Sequence, residues 1–257
     1  MKQNLKPIIA LCVLVVSYFT YKNLNVSKIQ AKDYLVVGTS ADYPPYAQID
    51  LATQEIVGFE IDVITFIAEK LGKKLILKDM PFNALILELM SGHIDVIAAG
   101  LSPSPQRSKA VLFSIPYIND DNLIVVSTKN NPCFERLEDL YGKTVAVNIG
   151  YTSDTFLSKH PQINLIRLKS TADSIVALQS GSVDAFATSK SSFDILLSKQ
   201  KENVDQYQYF QLPASADACA LAFEKNNHTL QKEIDPIIAA MLKDGTMQSL
   251  KEKWGLA

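Results

Sequence analysis

Residues 75–98 read LILKDMPFNALILELMSGHIDVIA, and residues 164–187 read NLIRLKSTADSIVALQSGSVDAFA. The two stretches align without gaps at an offset of 89. Ile86 meets Ile175, Leu89 meets Leu178, Ser91-Gly92 meets Ser180-Gly181, Asp95 meets Asp184 and Ala98 meets Ala187. Each copy reads strand, amphipathic helix, Ser-Gly stop, strand. Two copies of such a unit predict two similarly built α/β lobes.

The surrounding sequence extends the pattern. Tyr34–Thr39 is short, β-branched and ended by a turn cluster, which predicts a strand. Tyr43-Pro44-Pro45-Tyr46 reads as loop, because paired prolines cannot sit in a ladder. Phe59 to Leu71 places apolar residues at 59, 63, 66, 67 and 71, a helical stripe with Gly72 as its stop. Leu75–Leu77, Val96–Ala99 and Thr144–Val147 read as strands. Asn83 is placed to cap a helix running to Met90, and Ser104-Pro105 is an N-cap and first-turn pattern. The strand–helix–strand rhythm predicts a parallel, doubly wound α/β layout. Ligands bind such sheets beyond the carboxyl ends of their strands, which makes the groove between two lobes a natural site.

Composition narrows the function. The chain has 257 residues, 47% of them hydrophobic and 20% charged, with a net charge of −2. Five lysines and no acid fall in residues 1–32, so the remainder sets 20 basic against 27 acidic residues, a net of −7. A body this acidic is a poor match for a phosphate backbone, which argues against nucleic acid. Lys2 and Lys6 precede an uncharged run from Pro7 to Tyr21, short for a membrane span and suited to a secretory signal. An uncleaved anchor over residues 7–21 and a cleaved signal both fit, and either sends residues 33–257 out of the cytoplasm. A buried helix of the fold is the alternative.

Catalytic and metal signatures do not emerge. Cys12, Cys133 and Cys219 show no CxxC and no metal spacing; Cys133 and Cys219 read as separate thiols, with a disulfide between them the alternative. Gly142-Lys143-Thr144 ends like a phosphate loop, but Leu137 stands where that loop needs glycine. His93, His160 and His228 are scattered over turns and helix edges. Neither a cofactor nor a metal is expected.

Three segments are suited to a small anion with an organic body. Gly100 to Arg107 follows a strand and offers backbone N–H groups, the Ser102 hydroxyl and Arg107, which grips carboxylates bidentately. Asn148-Ile149-Gly150-Tyr151-Thr152 follows another strand. Tyr43, Tyr46 and Phe59 supply aromatic surface.

These segments lie in a longer resemblance. Gly38-Thr39-Ser40-Ala41-Asp42-Tyr43-Pro44-Pro45-Tyr46, Val57-Gly58-Phe59-Glu60-Ile61-Asp62, Phe82-Asn83-Ala84-Leu85-Ile86, Ser102 to Arg107, and Asp244-Gly245-Thr246 to Lys253-Trp254 resemble, in order, motifs of amino-acid-binding proteins of ABC importers, the bacterial extracellular solute-binding family 3. Glu60 stands where that family usually has Asp, and Ser104 where it has Thr. The resemblance implies a two-lobed periplasmic-binding-protein fold (type II), each lobe a parallel-rich sheet with flanking helices, joined by two hinge strands. Lobe 1 would span 33–122 plus 215–257, lobe 2 123–214, and residues 1–32 would be the signal or anchor. It implies a monomeric extracytoplasmic or periplasmic receptor that delivers an amino acid or similar carboxylate to an ABC importer permease, rather than an enzyme. Membrane contact would come only through the N-terminal segment. By position, Arg107, Ser102 and Gly100 would bind the α-carboxylate, Thr152 would add a contact from lobe 2, and Tyr43 and Phe59 would sandwich the ligand's side chain.

Two positions depart from the family. Ser189 stands where many relatives carry an acid for the ligand's α-ammonium, and Ser40 where binders of cationic amino acids often carry Asp. Either Asp42, Asp120 or Asp121 substitutes, or the ligand is not a standard cationic amino acid. The alternatives on the same scaffold are a cyclohexadienyl-dehydratase-like enzyme, whose catalytic acid would fall near Ser189, and a membrane-anchored ligand sensor.

Overall fold

The computed structural model describes residues 32–131, 133–200, 204–213 and 217–256. The expected signal or anchor lies outside these residues. Two five-stranded sheets organise the chain. In the first, Tyr34–Thr39 runs parallel to both Lys74–Asp79 and Val96–Ile97. Ala222–Glu224 pairs antiparallel with Val96–Ile97, and Val111–Phe113 closes the edge. In the second, Thr144–Asn148 runs parallel to both Asn164–Leu168 and Ala185–Ser189. Leu123–Thr128 pairs antiparallel with Ala185–Ser189, and Tyr207–Gln211 closes that edge. The three parallel strands have the same order and strand sense in both sheets, while the antiparallel strand beside them comes last in the chain in the first sheet and first in the second.

The internal repeat explains this identity at single residues. Asp95 accepts a hydrogen bond from the Val36 N–H at 3.0 Å, and its own N–H donates to the Val36 carbonyl at 2.7 Å. Asp184 does the same to Thr144, at 2.8 Å in both directions. In each lobe one aspartate thus pins the start of the central strand to the third strand of the unit. Gly92 and Gly181 both adopt φ of 72°, one residue past a helix C-cap, where a side chain would be strained.

Two strands carry the chain between the sheets. Ile118–Asp121 leads from the first sheet to the second and Asp217–Cys219 leads back, and the two pair antiparallel. These are the expected hinge strands. Period-two alternation fills both faces of the second sheet: Val125, Val145, Val147 and Ala187 pack on one side, and Ile124, Val126, Ala146 and Phe186 on the other. Among the described residues, no helix is long and apolar enough to cross a membrane. Cys133 is exposed, Cys219 is buried, and no disulfide joins them.

Two local expectations change. Asn83 does not cap a helix: it lies inside a 3-10 turn, Phe82–Ala84, and Leu85–Met90 follows with Ala84 at its N-cap. Pro81 sets up that turn, its carbonyl accepting from the Ala84 N–H at 2.8 Å. Ser104 does accept from the Arg107 N–H, at 3.1 Å, yet it opens only the three-residue 3-10 turn Arg107–Lys109.

The helix Phe59–Lys70 positions the aromatic loop before it. No side chain caps its first turn. Instead the Phe59 and Glu60 N–H groups donate to the carbonyls of Pro45 and Tyr46, at 2.9 and 3.1 Å. This approach needs Gly58, which has φ of 151° and where a Cβ would sit 2.2 Å from the Tyr46 carbonyl oxygen. Gly58→Ala should therefore cost at least about 2 kcal/mol, or a fall in Tm of roughly 4–8 °C. Gly72→Ala, left-handed but in open space, should cost about 1 kcal/mol. Thermal unfolding of the two variants measures the difference; equal losses would contradict the backbone contact.

Candidate functional site

The site forms where loops after the first sheet's strands meet loops after the second's. Arg107 bridges them. Its Nη1 donates to the Ser102 carbonyl at 2.7 Å, and its Nη2 donates to the Gly150 carbonyl at 2.8 Å. The guanidinium lies 5.6 Å from the Phe82 ring centroid. The Thr152 hydroxyl, at the start of the helix Thr152–Leu157, donates to the Ser102 hydroxyl at 3.3 Å. Ser102, Arg107 and Thr152 are thus brought together.

The aromatic wall differs from the expected sandwich. Tyr43 stacks on Tyr46, with centroids 5.2 Å apart and planes at 18°, and meets Tyr151 edge-on at 4.9 Å. Tyr151 in turn packs on Phe82 at 4.4 Å. Phe59 is 0% exposed and sits behind Tyr46, at 6.4 Å, and against Tyr117, at 6.1 Å. Tyr46 thus touches both rings that were expected to face each other. The cause is the apolar stripe of the helix: Phe59 shares the buried face of Val63 and Ile67 and joins the core.

Gly100 also differs. Its φ is +63° and a Cβ there would lie 3.2 Å from the Tyr43 ring, so the backbone lies close to that ring. Its N–H, however, donates at 2.7 Å to Glu60 Oε2, a fully buried carboxyl, and is not directed at a ligand carboxylate. The Tyr117 hydroxyl donates to Glu60 Oε1, also at 2.7 Å. Burial pushes the Glu60 carboxyl up from 4.5 to about 7, against the pull of these two hydrogen bonds.

Hydroxyl contacts close the other side. The Tyr43 hydroxyl donates to the Ser189 hydroxyl at 2.8 Å, in buried surroundings. The Tyr46 hydroxyl donates to Asp121 Oδ2 at 2.5 Å. Ser191, in the first turn of the helix Lys190–Gln200, donates to the same carboxylate through its hydroxyl at 2.5 Å and its N–H at 3.1 Å. Asp121 therefore ties the first-sheet loop to a helix N-terminus beside the second sheet, where a negative charge is favoured. Burial, and then the neighbouring Cys219 and Asp121, raise the Tyr46 hydroxyl well above its usual range. Ser40 is buried and its hydroxyl donates to Asp42 Oδ1 at 2.7 Å. The Asp120 side chain lies outside the described residues.

Tyr151 and Tyr46 lay in segments put forward from the sequence, and Asp121 among its candidate acids, but the packing of Tyr151 on Phe82 and the Tyr46–Asp121–Ser191 contact were not read from it. Tyr151 carried the one available signal, an aromatic residue in a turn directly after a strand.

The family model for bacterial extracellular solute-binding proteins, family 3, matches residues 35–257, and the chain belongs to that family. It is 29% identical over 260 residues to the arginine-binding extracellular protein ArtP of Bacillus subtilis, covering 99% of this chain and 98% of that protein. It is 28% identical over 232 residues to the L-cystine-binding protein TcyJ of Escherichia coli, covering 89% and 85%. Among solved structures, an ancestral arginine-binding protein bound to glutamine matches with a TM-score of 0.81 and 34% identity, over 89% of this chain and 100% of that one. The form bound to arginine matches with a TM-score of 0.80 and 32% identity, over 87% and 98%.

Glu60 gives the site region a pH signature. Below pH 4.5 the carboxyl is protonated both folded and unfolded, and its contribution is intact. As pH rises from 4.5 through about 7, the unfolded chain ionises first and stability falls, by up to about 3 kcal/mol. Glu60→Gln, which can still accept from Gly100 and donate to Tyr117, should lose this dependence. Urea unfolding of both proteins at pH 5 and pH 8 tests it; the same pH difference in each would contradict the assignment.

Proposed function

We propose that the protein is an extracytoplasmic receptor that holds an amino acid by its carboxylate between two lobes and presents it to an ABC importer permease. The observation that carries this reading is Arg107, anchored to one carbonyl from each side of the groove. A guanidinium offers five N–H donors in one plane and grips a carboxylate through two of them at once. The Ser102 and Thr152 hydroxyls, one from each side, stand next to it. Tyr43 and Tyr151 form the wall for the ligand's body, with Phe59 supporting that wall from the core rather than lining it.

On this reading lobe 1 comprises 33–122 plus 215–257 and lobe 2 comprises 123–214. Closure is a population shift: a ligand touching both lobes stabilises only the state in which they meet. The residues that meet directly, Tyr43 with Ser189 and Tyr46 with Asp121 and Ser191, set how far that state is favoured without ligand. The monomeric state, the permease partner, the location outside the cytoplasm and the use of residues 7–21 as signal or anchor belong to the same proposal. Relatives named as amino-acid-binding proteins support binding over catalysis as its purpose.

A thermal-shift screen of the standard amino acids tests it. A ligand at about 100 times its Kd adds roughly 2.7 kcal/mol, a rise of several degrees. Arg107→Ala should abolish that rise and weaken binding by at least about a hundredfold, with the unliganded far-UV spectrum unchanged. Undiminished affinity in the variant would remove Arg107 from the site.

A further inference from the structure

We infer that Asp154, paired with Arg167, is a positioning residue for ligand binding: the pair holds the Gly150 turn in the form that meets Arg107 and brings Tyr151 and Thr152 to the groove. The inference rests on the carboxylate reading above and adds to it two residues that act through the turn rather than by touching the ligand.

The backbone sets the task. The strand Thr144–Asn148 runs into a turn at Gly150, whose φ is 79°, and the short helix Thr152–Leu157 follows. The Gly150 carbonyl accepts from Arg107 at 2.8 Å. The Gly150 N–H donates to Asp154 Oδ2 at 3.0 Å. Asp154 thus reaches back from the helix's first turn to the residue that Arg107 holds. A Cβ on Gly150 would lie 3.7 Å from the Cβ of Asn83, so the turn also lies against the first-sheet side of the groove. Any change in the Gly150 backbone moves the Arg107 contact, the Tyr151 ring and the Thr152 hydroxyl together.

The first-sheet side uses the same device. Gly100, with φ of 63°, donates its N–H to Glu60 at 2.7 Å. Both loops that meet at Arg107 therefore contain a left-handed glycine whose N–H is held by a buried carboxyl. Glu60 is held in turn by Tyr117, and Asp154 by Arg167.

The chemistry of Asp154 fits three donors at once. Besides Gly150 it accepts, on Oδ1, from the Ser158 hydroxyl at 3.1 Å and from Arg167 Nε at 2.9 Å. Arg167 lies on the edge strand Asn164–Leu168, in register with Val147, and its Nη2 donates to the Ser158 hydroxyl at 2.8 Å. The three side chains close a ring behind the turn. A carboxylate has about four acceptor sites, whereas an amide oxygen has two.

Charge separates this pair from an ordinary surface one. Arg136 and Asp139 are paired with side chains 74% and 30% exposed, and such a pair contributes little. The Asp154 side chain is 11% exposed, so its charge needs a partner. It also lies two residues from Thr152, one of the groups assigned to the ligand's carboxylate. Arg167 offsets a negative charge that would otherwise oppose that carboxylate.

Calorimetry with the standard amino acid that raises the wild-type Tm most tests this. Asp154→Ala should weaken binding at least about tenfold and Arg167→Ala at least about threefold. The double variant should bind as Asp154→Ala does, because Arg167 acts through Asp154. Asp154→Glu, which keeps the carboxylate, should recover most of the affinity. Unliganded Tm is read beside each Kd. Wild-type affinity with a lowered Tm in Asp154→Ala would make the pair merely structural and overturn the inference, as would losses that add in the double variant. Should Asp154→Ala not fold, Arg167→Ala, altered at a half-exposed side chain, decides alone, and wild-type affinity in it overturns the inference. Loss of binding in Arg107→Ala would leave the carboxylate reading standing in each of these cases. Absence of binding by every amino acid to the wild type would overturn both.

Discussion

The Arg107 guanidinium donates to Ser102 on one side of the groove and to Gly150 on the other, and the rest of the site is arranged around that pair of contacts. A guanidinium cannot be deprotonated at working pH, so a positive charge is always present at this point. The 3-10 turn that carries it is opened by Ser104 and follows the loop from Gly100. That loop is fixed from beneath by the Gly100 N–H on Glu60, and Glu60 by Tyr117. A chain of hydrogen bonds thus runs from the core below the first sheet to the guanidinium's loop. Burying a carboxyl to build this chain carries a stability cost at neutral pH, which the hydrogen bonds only partly offset.

Opposite Arg107 the lobes meet through hydroxyls. Tyr43 meets Ser189 there, and both groups are neutral. A neutral contact between hydroxyls is worth about 1 kcal/mol, against more for a charge-assisted one. The charge instead resides in Asp121, bonded to Tyr46 and Ser191 at the edge of the crossing strands. It receives three hydrogen bonds there, one from Tyr46 and two from Ser191, and so ties the two sides of the groove together.

Much of the architecture was legible because it is local and repeated. The Ser-Gly stops and the aspartates at 95 and 184 sit at fixed offsets in both copies, and each has the same backbone task. The Ser102–Arg107 segment stood out for a similar reason, since its polar groups cluster within one turn. What the sequence left open was which surface a residue faces. Phe59 satisfies both a helical core stripe and a ligand wall, and only packing against Tyr46 and Tyr117 decides between them. Gly100 follows a strand, as a phosphate- or carboxylate-binding glycine would, but its N–H is used by a side chain 40 positions earlier. Tyr151 showed locally only as an aromatic residue in a turn after a strand; the residues it packs on, Phe82 and Tyr43, are distant in sequence, so its neighbours could not give it a role. Asn83 failed as a cap because Pro81 had already set the turn.

On the proposed reading, a carboxylate is the group this cleft cannot do without. Calorimetric titration of the wild-type protein with the amino acid that raises its Tm most, and with the amine left when that amino acid loses its carboxylate, measures this directly. The amino acid should give a saturable isotherm and the amine an affinity lower by at least about a hundredfold, because the amine offers Arg107 no anion. Equal affinity for the two would contradict the reading and remove Arg107 as the anchor of the site.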